Sequence, residues 1–156
     1  MKLLIIFTAL FIVGCADSQK FSPTFDATVK EYKATNVMEV IRQAAESAPE
    51  GVFGVYILNI KATGEDERGI IYLNTELDYR DPRNVTVALH PKTLATFKSK
   101  YGTNLKDFFL GKKILVRGKA IRATIVFSPE GKPPYKSYYY QTHIRVSSAN
   151  QIEVVK

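Results

Sequence analysis

The sequence predicts an all-β domain with short helices, preceded by a helical segment, and three observations support this fold class. From Gly51 onward, apolar residues stand in short runs rich in β-branched and aromatic side chains, which is typical of strands. Turns rich in Gly, Pro, Asn and Asp separate these runs. The content of 46% hydrophobic and 12% aromatic residues is enough to fill one core.

The N-terminal residues have the pattern of a secretory signal. Lys2 is followed by an apolar run, Leu3 to Val13, that is too short to span a bilayer as a mature helix. The run ends in Ile12-Val13-Gly14-Cys15, which resembles the lipobox of bacterial lipoproteins. The resemblance implies that residues 1–14 are a signal peptide and that Cys15 becomes the lipidated N-terminus, with palmitate among its acyl chains. An ordinary signal peptide with a chance cysteine, or an uncleaved anchor, is the alternative.

A lipidated Cys15 would place the protein on a membrane of the cell envelope, because each buried CH₂ of an acyl chain contributes about 0.8 kcal/mol. Ala16 stands where lipoproteins retained at the inner membrane carry aspartate. The resemblance therefore implies the outer membrane, facing the periplasm, in a Gram-negative source, and otherwise the extracytoplasmic face of the cell membrane. Cys15 is the single cysteine, so no disulfide and no Cys-based metal site is expected.

Two segments are predicted between the lipidation site and the domain. Residues 15–24 begin with a short polar stretch and are interpreted as a lipidated tether. Residues 25–48 show apolar residues at helical spacing and are predicted to be a helical segment. Within it, Asn36 can cap a helix and Glu39 can complete a capping box.

Residues 50–156 are predicted to form the domain. The predicted helix begins at His90-Pro91, ends at Gly102 and lies between the third and fourth strands. A charged turn is predicted over residues 63–69, and residues 151–155 either continue the last strand or form a small extra one. The predicted strands cover residues 52–60, 70–74, 85–89, 113–127 and 138–147. This order is that of the OB-fold, a five-stranded Greek-key barrel.

The chain also resembles OB-fold domains of the bacterial tRNA-anticodon type. Residues 110–120 are similar to the pattern GK-x-V-x-V-x-G-x-V that begins their fourth strand, and residues 144–154 to their closing pattern I-x-V-x-S-P-x-Q-I-x-V, with Ala149 in place of proline. Residues 71–74 and 84–88 resemble their second and third strands. The resemblance implies the fold more than the function. Gly118 fits it, because a tightly coiled strand needs a residue without Cβ at its bend.

The charge is unevenly distributed along the chain. Residues 15–89 carry 8 basic and 12 acidic side chains, whereas residues 90–145 carry 12 basic and 2 acidic ones. This asymmetry predicts a basic face for phosphates, acidic glycans or anionic lipid, although lysines that aid solubility explain it equally well. Alternation along the last two strands predicts that Tyr138 and Tyr140 are buried and Tyr139 is exposed. The candidate ligand-binding face comprises Arg117, Lys119, Lys132, Lys136, Tyr139, His143 and Arg145.

Two classes of binding function remain open. The first is a binding or scaffolding role towards an envelope protein or polyanionic ligand. The alternative is OB-type binding of nucleic acid, single-stranded or at the cell surface, with tyrosines stacked on bases. Glu65-Asp66-Glu67 argues against the alternative, because carboxylates in a loop that usually contacts the ligand repel phosphate.

No enzyme, cofactor or metal is expected. No nucleophile motif accompanies His90 or His143, and the acidic turns lack the spacing of a calcium loop. A small hydrolase with an unrecognised site is the third reading.

Overall fold

The computed structural model describes residues 34–127 and 137–155, which belong to one compact unit. The predicted signal peptide, the lipidation site Cys15, the tether and the first part of the helical segment lie outside the described residues, as do Lys132 and Lys136. The described helices are α1 (Val37–Glu46), α2 (Leu94–Tyr101) and α3 (Leu105–Phe109). The described strands are β1 (Val52–Asn59), β2 (Ala62–Glu65), β3 (Ile71–Asn74), β4 (Val85–Leu89), β5 (Lys113–Phe127), β6 (Ser137–Val146) and β7 (Ile152–Val155).

The predicted mostly-β domain with short helices is confirmed, with two local differences. The charged turn is shorter than expected, because Thr63, Gly64 and Glu65 belong to β2 and pair with β3. The helix α3 was not predicted from the sequence, since five residues are too few for a helical period to stand out. Residues 152–155 form a separate strand, β7, that pairs with β5.

The first helix begins at the predicted cap but without the predicted capping box. The Asn36 side chain accepts a hydrogen bond from the backbone N–H of Met38 (3.1 Å). Glu39 instead accepts hydrogen bonds from the Arg42 side chain, at 2.6 and 2.9 Å. An ion pair one turn away thus takes the carboxylate that the capping box would need.

The strands form one sheet in the order β1-β5-β6-β4-β3-β2, with β7 added on β5. All pairs are antiparallel except β4 and β6, which are parallel. The hydrogen-bonded order starts at β1 and ends at β2, so this sheet is not closed into the predicted barrel. The break lies where the chain changes partners: the N–H of Ile60 donates to the Lys112 carbonyl (2.9 Å), and the N–H of Lys61 donates to the Asn74 carbonyl (2.8 Å).

The core lies on the inner face of the sheet. Val40 and Ala44 of α1 belong to it, as do Phe97 of α2 and Phe109 of α3. The strands supply Tyr56, Leu58, Ile71, Leu73, Val85, Val87, Leu89, Ile114, Val116, Ala120, Ile144, Val146 and Ile152. No helix in residues 34–127 and 137–155 is long and apolar enough to cross a membrane.

Gly118 is constrained by its neighbours. It pairs with Gly54 of β1, and a Cβ built on Gly118 would lie 2.8 Å from the Cγ2 of Ile144. The absence of a side chain therefore lets β6 pack against β5. This contact is a physical reason for glycine at this position in addition to the predicted bend.

Candidate functional site

The outer face of the sheet carries two adjoining cavities, each of about 440 Å³. This volume lies within the range of about 300–1,000 Å³ that is typical of small-molecule sites. We call the first the tyrosine cavity, after Tyr72, Tyr79 and Tyr139, and the second the arginine cavity, after Arg68 and Arg145. The two form one groove, because the side chains they share are those of Arg68, Tyr72, Ile125 and His143.

Strand register brings the groove residues to one face. Asn74 of β3 pairs with Thr86 of β4, and Thr86 pairs with His143 of β6. His143 in turn pairs with Ile121 of β5. Because directly paired residues point to the same side of a sheet, these side chains face away from the core.

The burial of the β6 tyrosines is opposite to the prediction, although their strand faces are as predicted. Tyr138 and Tyr140 are 62% and 49% exposed, whereas Tyr139 is half-buried in the tyrosine cavity. The prediction was wrong because this end of β6 pairs only with the second half of β5, beyond the residues that form the core. Residues 75–84 instead cover the opposite side, where the Tyr79 carbonyl accepts a hydrogen bond from Gln141 Nε2 (3.0 Å).

The floor of the tyrosine cavity is held by a buried amide network centred on Asn84. Asn84 Oδ1 accepts from the backbone N–H groups of Thr75 (2.9 Å) and Glu76 (3.1 Å). Its Nδ2 donates to Asn74 Oδ1 (3.1 Å) and to Thr86 Oγ1 (2.9 Å). The sequence did not single out these residues, because polar side chains beside a predicted turn are equally compatible with a solvated turn. The network fixes the loop that carries Tyr79.

His143 lies between the two cavities and is 9% exposed. Burial and the nearby Arg145 guanidinium lower the pKa of His143 to about 4, so the imidazole is neutral near pH 7. Its Nε2 lies 2.7 Å from Gln141 Oε1. An amide oxygen only accepts, so Nε2 carries the proton and Nδ1 is left as an acceptor. Gln141 Nε2 also donates to the Tyr139 hydroxyl (3.1 Å).

The acidic loop beside the groove is largely neutralised. Burial acts to raise the pKa of Asp66, but hydrogen bonds from the Ile70 N–H, Arg68 and Tyr72 outweigh it and the pKa is lowered. Glu65 Oε2 lies 3.0 Å from Lys106 Nζ. Two of the three carboxylates are therefore ion-paired, which weakens the expectation that this loop repels phosphate.

The arginine cavity combines guanidinium groups from two elements. Arg68 comes from the loop before β3 and Arg145 from the end of β6, and His90, the residue after β4, also lines the cavity. Arg145 is exposed, and it has no acidic partner within 4 Å in the described part of the chain. Guanidinium groups bind carboxylates and phosphates through paired N–H donors, so this cavity has the chemistry of an anion site.

The structure brings together three of the predicted site residues, Tyr139, His143 and Arg145. Arg117 and Lys119 lie on the first half of β5, which pairs with β1, and neither is among the described residues that line the two cavities. The Arg117 Nη1 atom lies 2.9 Å from Glu153 Oε1, and Lys119 Nζ lies 4.8 Å from the centre of the Phe53 ring. Their strand faces were assigned by alternation alone, which does not reveal that β5 changes partners near Ala120.

Within residues 34–127 and 137–155, no three His, Cys, Asp or Glu side chains are grouped closely enough to hold a metal ion.

No protein-family model matches this chain, and neither does any curated protein. The groove itself is therefore the main source of functional information.

Proposed function

We propose that this chain is a membrane-anchored envelope lipoprotein whose OB-type domain binds an envelope ligand in the groove. The observation that carries the proposal is the pair of adjoining cavities on one sheet face. Their floor contains buried polar side chains, Asn74 and His143, that belong to no apolar cluster. Hydrogen bonds to Asn84, Thr86 and Gln141 fix these two side chains in place. A cavity with a few fixed polar groups has the character of a ligand site, which favours a binding role.

The connection between β1 and β2 supports an OB-type barrel. Only Ile60 and Lys61 separate these strands. Counted as one bent strand, they give three strands, helices and then β5 and β6 in chain order, with β7 as an additional strand on β5. β1 pairs with β5, and β2 pairs with β3. A single bent strand would thus pair with β5 at one end of the order β5-β6-β4-β3 and with β3 at the other end. It would complete a five-stranded barrel.

The anchor is tested by the variant Cys15→Ser. It should lose labelling by radioactive palmitate and accumulate as precursor, because the thiol is the acyl attachment point. Ser18→Ala, three residues further along, is the matched control and should be labelled like the wild type. Undiminished label on Cys15→Ser would contradict the lipoprotein proposal. In a Gram-negative host, density-gradient fractions should contain the protein together with outer-membrane markers.

The groove is tested by capture from envelope extracts with the full-length protein in detergent micelles. Glycans and small molecules that co-purify are identified by mass spectrometry. Arg145→Glu should abolish capture, because it reverses a charge inside the arginine cavity. Lys119→Glu, a charge reversal outside both cavities, should capture as the wild type does. Equal capture by both variants would contradict the proposed site.

The second candidate function is nucleic-acid binding, which is favoured by the neutralised acidic loop and the tyrosines of the groove. It predicts that Tyr139→Ala weakens the binding of single-stranded oligonucleotides more than that of duplexes, since base stacking contributes about 1–3 kcal/mol per base. Tyr138→Ala, on the opposite face, is the control. Affinity for single strands should fall with salt by about 0.7 log units per log unit for each phosphate contact. Absence of oligonucleotide binding at low salt would exclude this candidate.

A further inference from the structure

Two deeply buried side chains present unused hydrogen-bonding atoms to the groove. Asn74 is 6% exposed, and its Oδ1 accepts from Asn84 and Thr86. Its Nδ2 has no hydrogen-bond partner among the described residues, nor has Nδ1 of His143. No buried side-chain nitrogen or oxygen in the described ranges lacks a partner, so both atoms must reach solvent. The open space beside both residues is the tyrosine cavity, which they line.

These two atoms have opposite hydrogen-bonding roles. The amide nitrogen of Asn74 donates, and the neutral imidazole nitrogen Nδ1 of His143 accepts. A hydroxyl group can accept from the first and donate to the second, because its O–H can rotate towards the acceptor. The nearby Tyr139 hydroxyl accepts from Gln141 and keeps its own proton for a further bond. The floor therefore suits a ligand that carries several neighbouring hydroxyl groups.

The aromatic side chains of the groove can form the apolar part of a sugar site. The two described ring pairs along the groove are tilted rather than parallel. Tyr72 and His143 meet at 62°, and Phe127 and Tyr139 meet at 70°. A pyranose ring needs no parallel pair, because its apolar C–H face can cover a single tyrosine ring.

We infer that the groove binds an anionic sugar, with the sugar ring in the tyrosine cavity and its phosphate or carboxylate in the arginine cavity. This inference rests on the proposed binding function of the groove. The two cavities adjoin, so one small ligand can occupy both. Arg145, which has no acidic partner among the described residues, supplies paired donors for the anionic group.

The test is isothermal titration of the full-length protein in detergent micelles at constant ionic strength. The sugar probes are glucose 1-phosphate, N-acetylglucosamine 1-phosphate and glucuronic acid, which separate a phosphate from a carboxylate as the anionic group. Inorganic phosphate, glucose and uridine monophosphate are the comparison ligands. At least one anionic sugar should bind about tenfold more tightly than inorganic phosphate or glucose, because it makes contacts in both cavities.

Three variants assign the two halves of the ligand. His143→Phe keeps a flat ring but removes the acceptor, and should weaken binding of the anionic sugar about tenfold and binding of inorganic phosphate much less. Arg145→Gln should weaken the binding of both the anionic sugar and inorganic phosphate about tenfold. Arg122→Gln, on the opposite face of the same hairpin beside Tyr140, should change neither. Thermal melting of each variant checks that it is folded, and the exposed Arg145 keeps the test decisive if His143→Phe unfolds.

The outcomes separate this inference from the proposed function. Phosphate binding as tightly as every sugar probe, or tighter binding of uridine monophosphate, would overturn it. Absence of binding by all probes would overturn it too. Suppose that no probe binds, but envelope extracts still supply a ligand that Arg145→Glu does not capture. The anionic-sugar inference then fails, while the proposed binding function of the groove stands.

Discussion

The two faces of the sheet use the same strands for different purposes. On β3, β4 and β6 the inner face carries Leu73, Val87 and Ile144, all fully buried and apolar. The outer face of the same strands carries Asn74, Thr86 and His143, which are almost as deeply buried but polar. Apolar burial stabilises a fold without further conditions, whereas buried polar groups do so only when each is hydrogen-bonded. We therefore expect the inner face to determine stability and the outer face to determine binding.

The largest effect should come from the inner face. Phe97→Ala removes a fully buried ring of α2 from the core and should lower the free energy of unfolding by roughly 3–5 kcal/mol. Phe53→Ala is the matched control, since Phe53 is 77% exposed on β1 and should cost less than about 1 kcal/mol, with its contact to Lys119 included. Urea unfolding of both variants measures the difference. Similar losses would mean that α2 does not anchor the core.

The next effect concerns the polar network of the outer face. Asn84→Ala removes the acceptor of the Glu76 backbone N–H, and it takes one hydrogen bond each from the Thr75 N–H and the Asn74 side chain, which keep their bonds to Val85 and Thr86. The loss should be about 1–3 kcal/mol. Asn150→Ala, at an exposed asparagine, should change stability by less than about 0.5 kcal/mol. Hydrogen exchange should also show faster opening of residues 75–84 in Asn84→Ala. Unchanged exchange there would contradict the anchoring role of this network.

A smaller effect is expected at Gly118, where β5 packs closely against β6. Gly118→Val places a side chain against Ile144 and should cost roughly 1–3 kcal/mol through overpacking. Gly64→Val on β2 is the control, because a Cβ there meets no atom within 4 Å. Thermal melting should separate the two variants. If Gly118→Val melts like Gly64→Val, β5 and β6 are less tightly packed than described.

The effect that is smallest at neutral pH is the pH dependence that His143 brings to the outer face. Unfolded histidine has a pKa of about 6.5, but folded His143 has a pKa of about 4. Between these values the unfolded chain binds a proton that the folded chain does not, so stability falls as the pH falls, by at most about 1.4 kcal/mol per pH unit. Above pH 6.5 this contribution vanishes.

Unfolding by urea at several pH values between 4 and 6.5 measures this slope. His143→Phe should lack it, whereas His90→Asn, at an exposed histidine, should keep it. An unchanged slope in His143→Phe would show that the proton is taken up elsewhere. The low-lying carboxylate pKa values of Asp66 and Asp81 matter mainly below this window.

Strand positions were predictable because their signals are local. Residues 85–89 and 113–127 were predicted with the bounds that β4 and β5 have, since β-branched runs there end at clear turn residues. The start of the helical region at His90 and its end at Gly102 were also predictable, because a cap and a glycine with positive φ are local requirements. The helix α3 was missed, because it is too short to show a period.

The candidate site was only partly predictable. Tyr139, His143 and Arg145 were found from alternation along a single strand, and they share the groove. Asn74 and Asn84 were missed, because their role depends on a loop folding back onto β3 and β4. Their polar side chains next to a predicted turn look the same in sequence whether the turn is solvated or packed.

By itself, the sequence determined the strand-rich class of this domain and the order of its main strands and helices. These follow from side-chain period and turn chemistry, which act over a few residues. Only the tertiary structure decided which face of the β5–β6 hairpin is exposed, that Arg117 and Lys119 lie outside the groove, and that Glu65 is paired with Lys106. Each of these depends on where a strand changes partners or a loop closes, and such contacts join residues far apart in the chain.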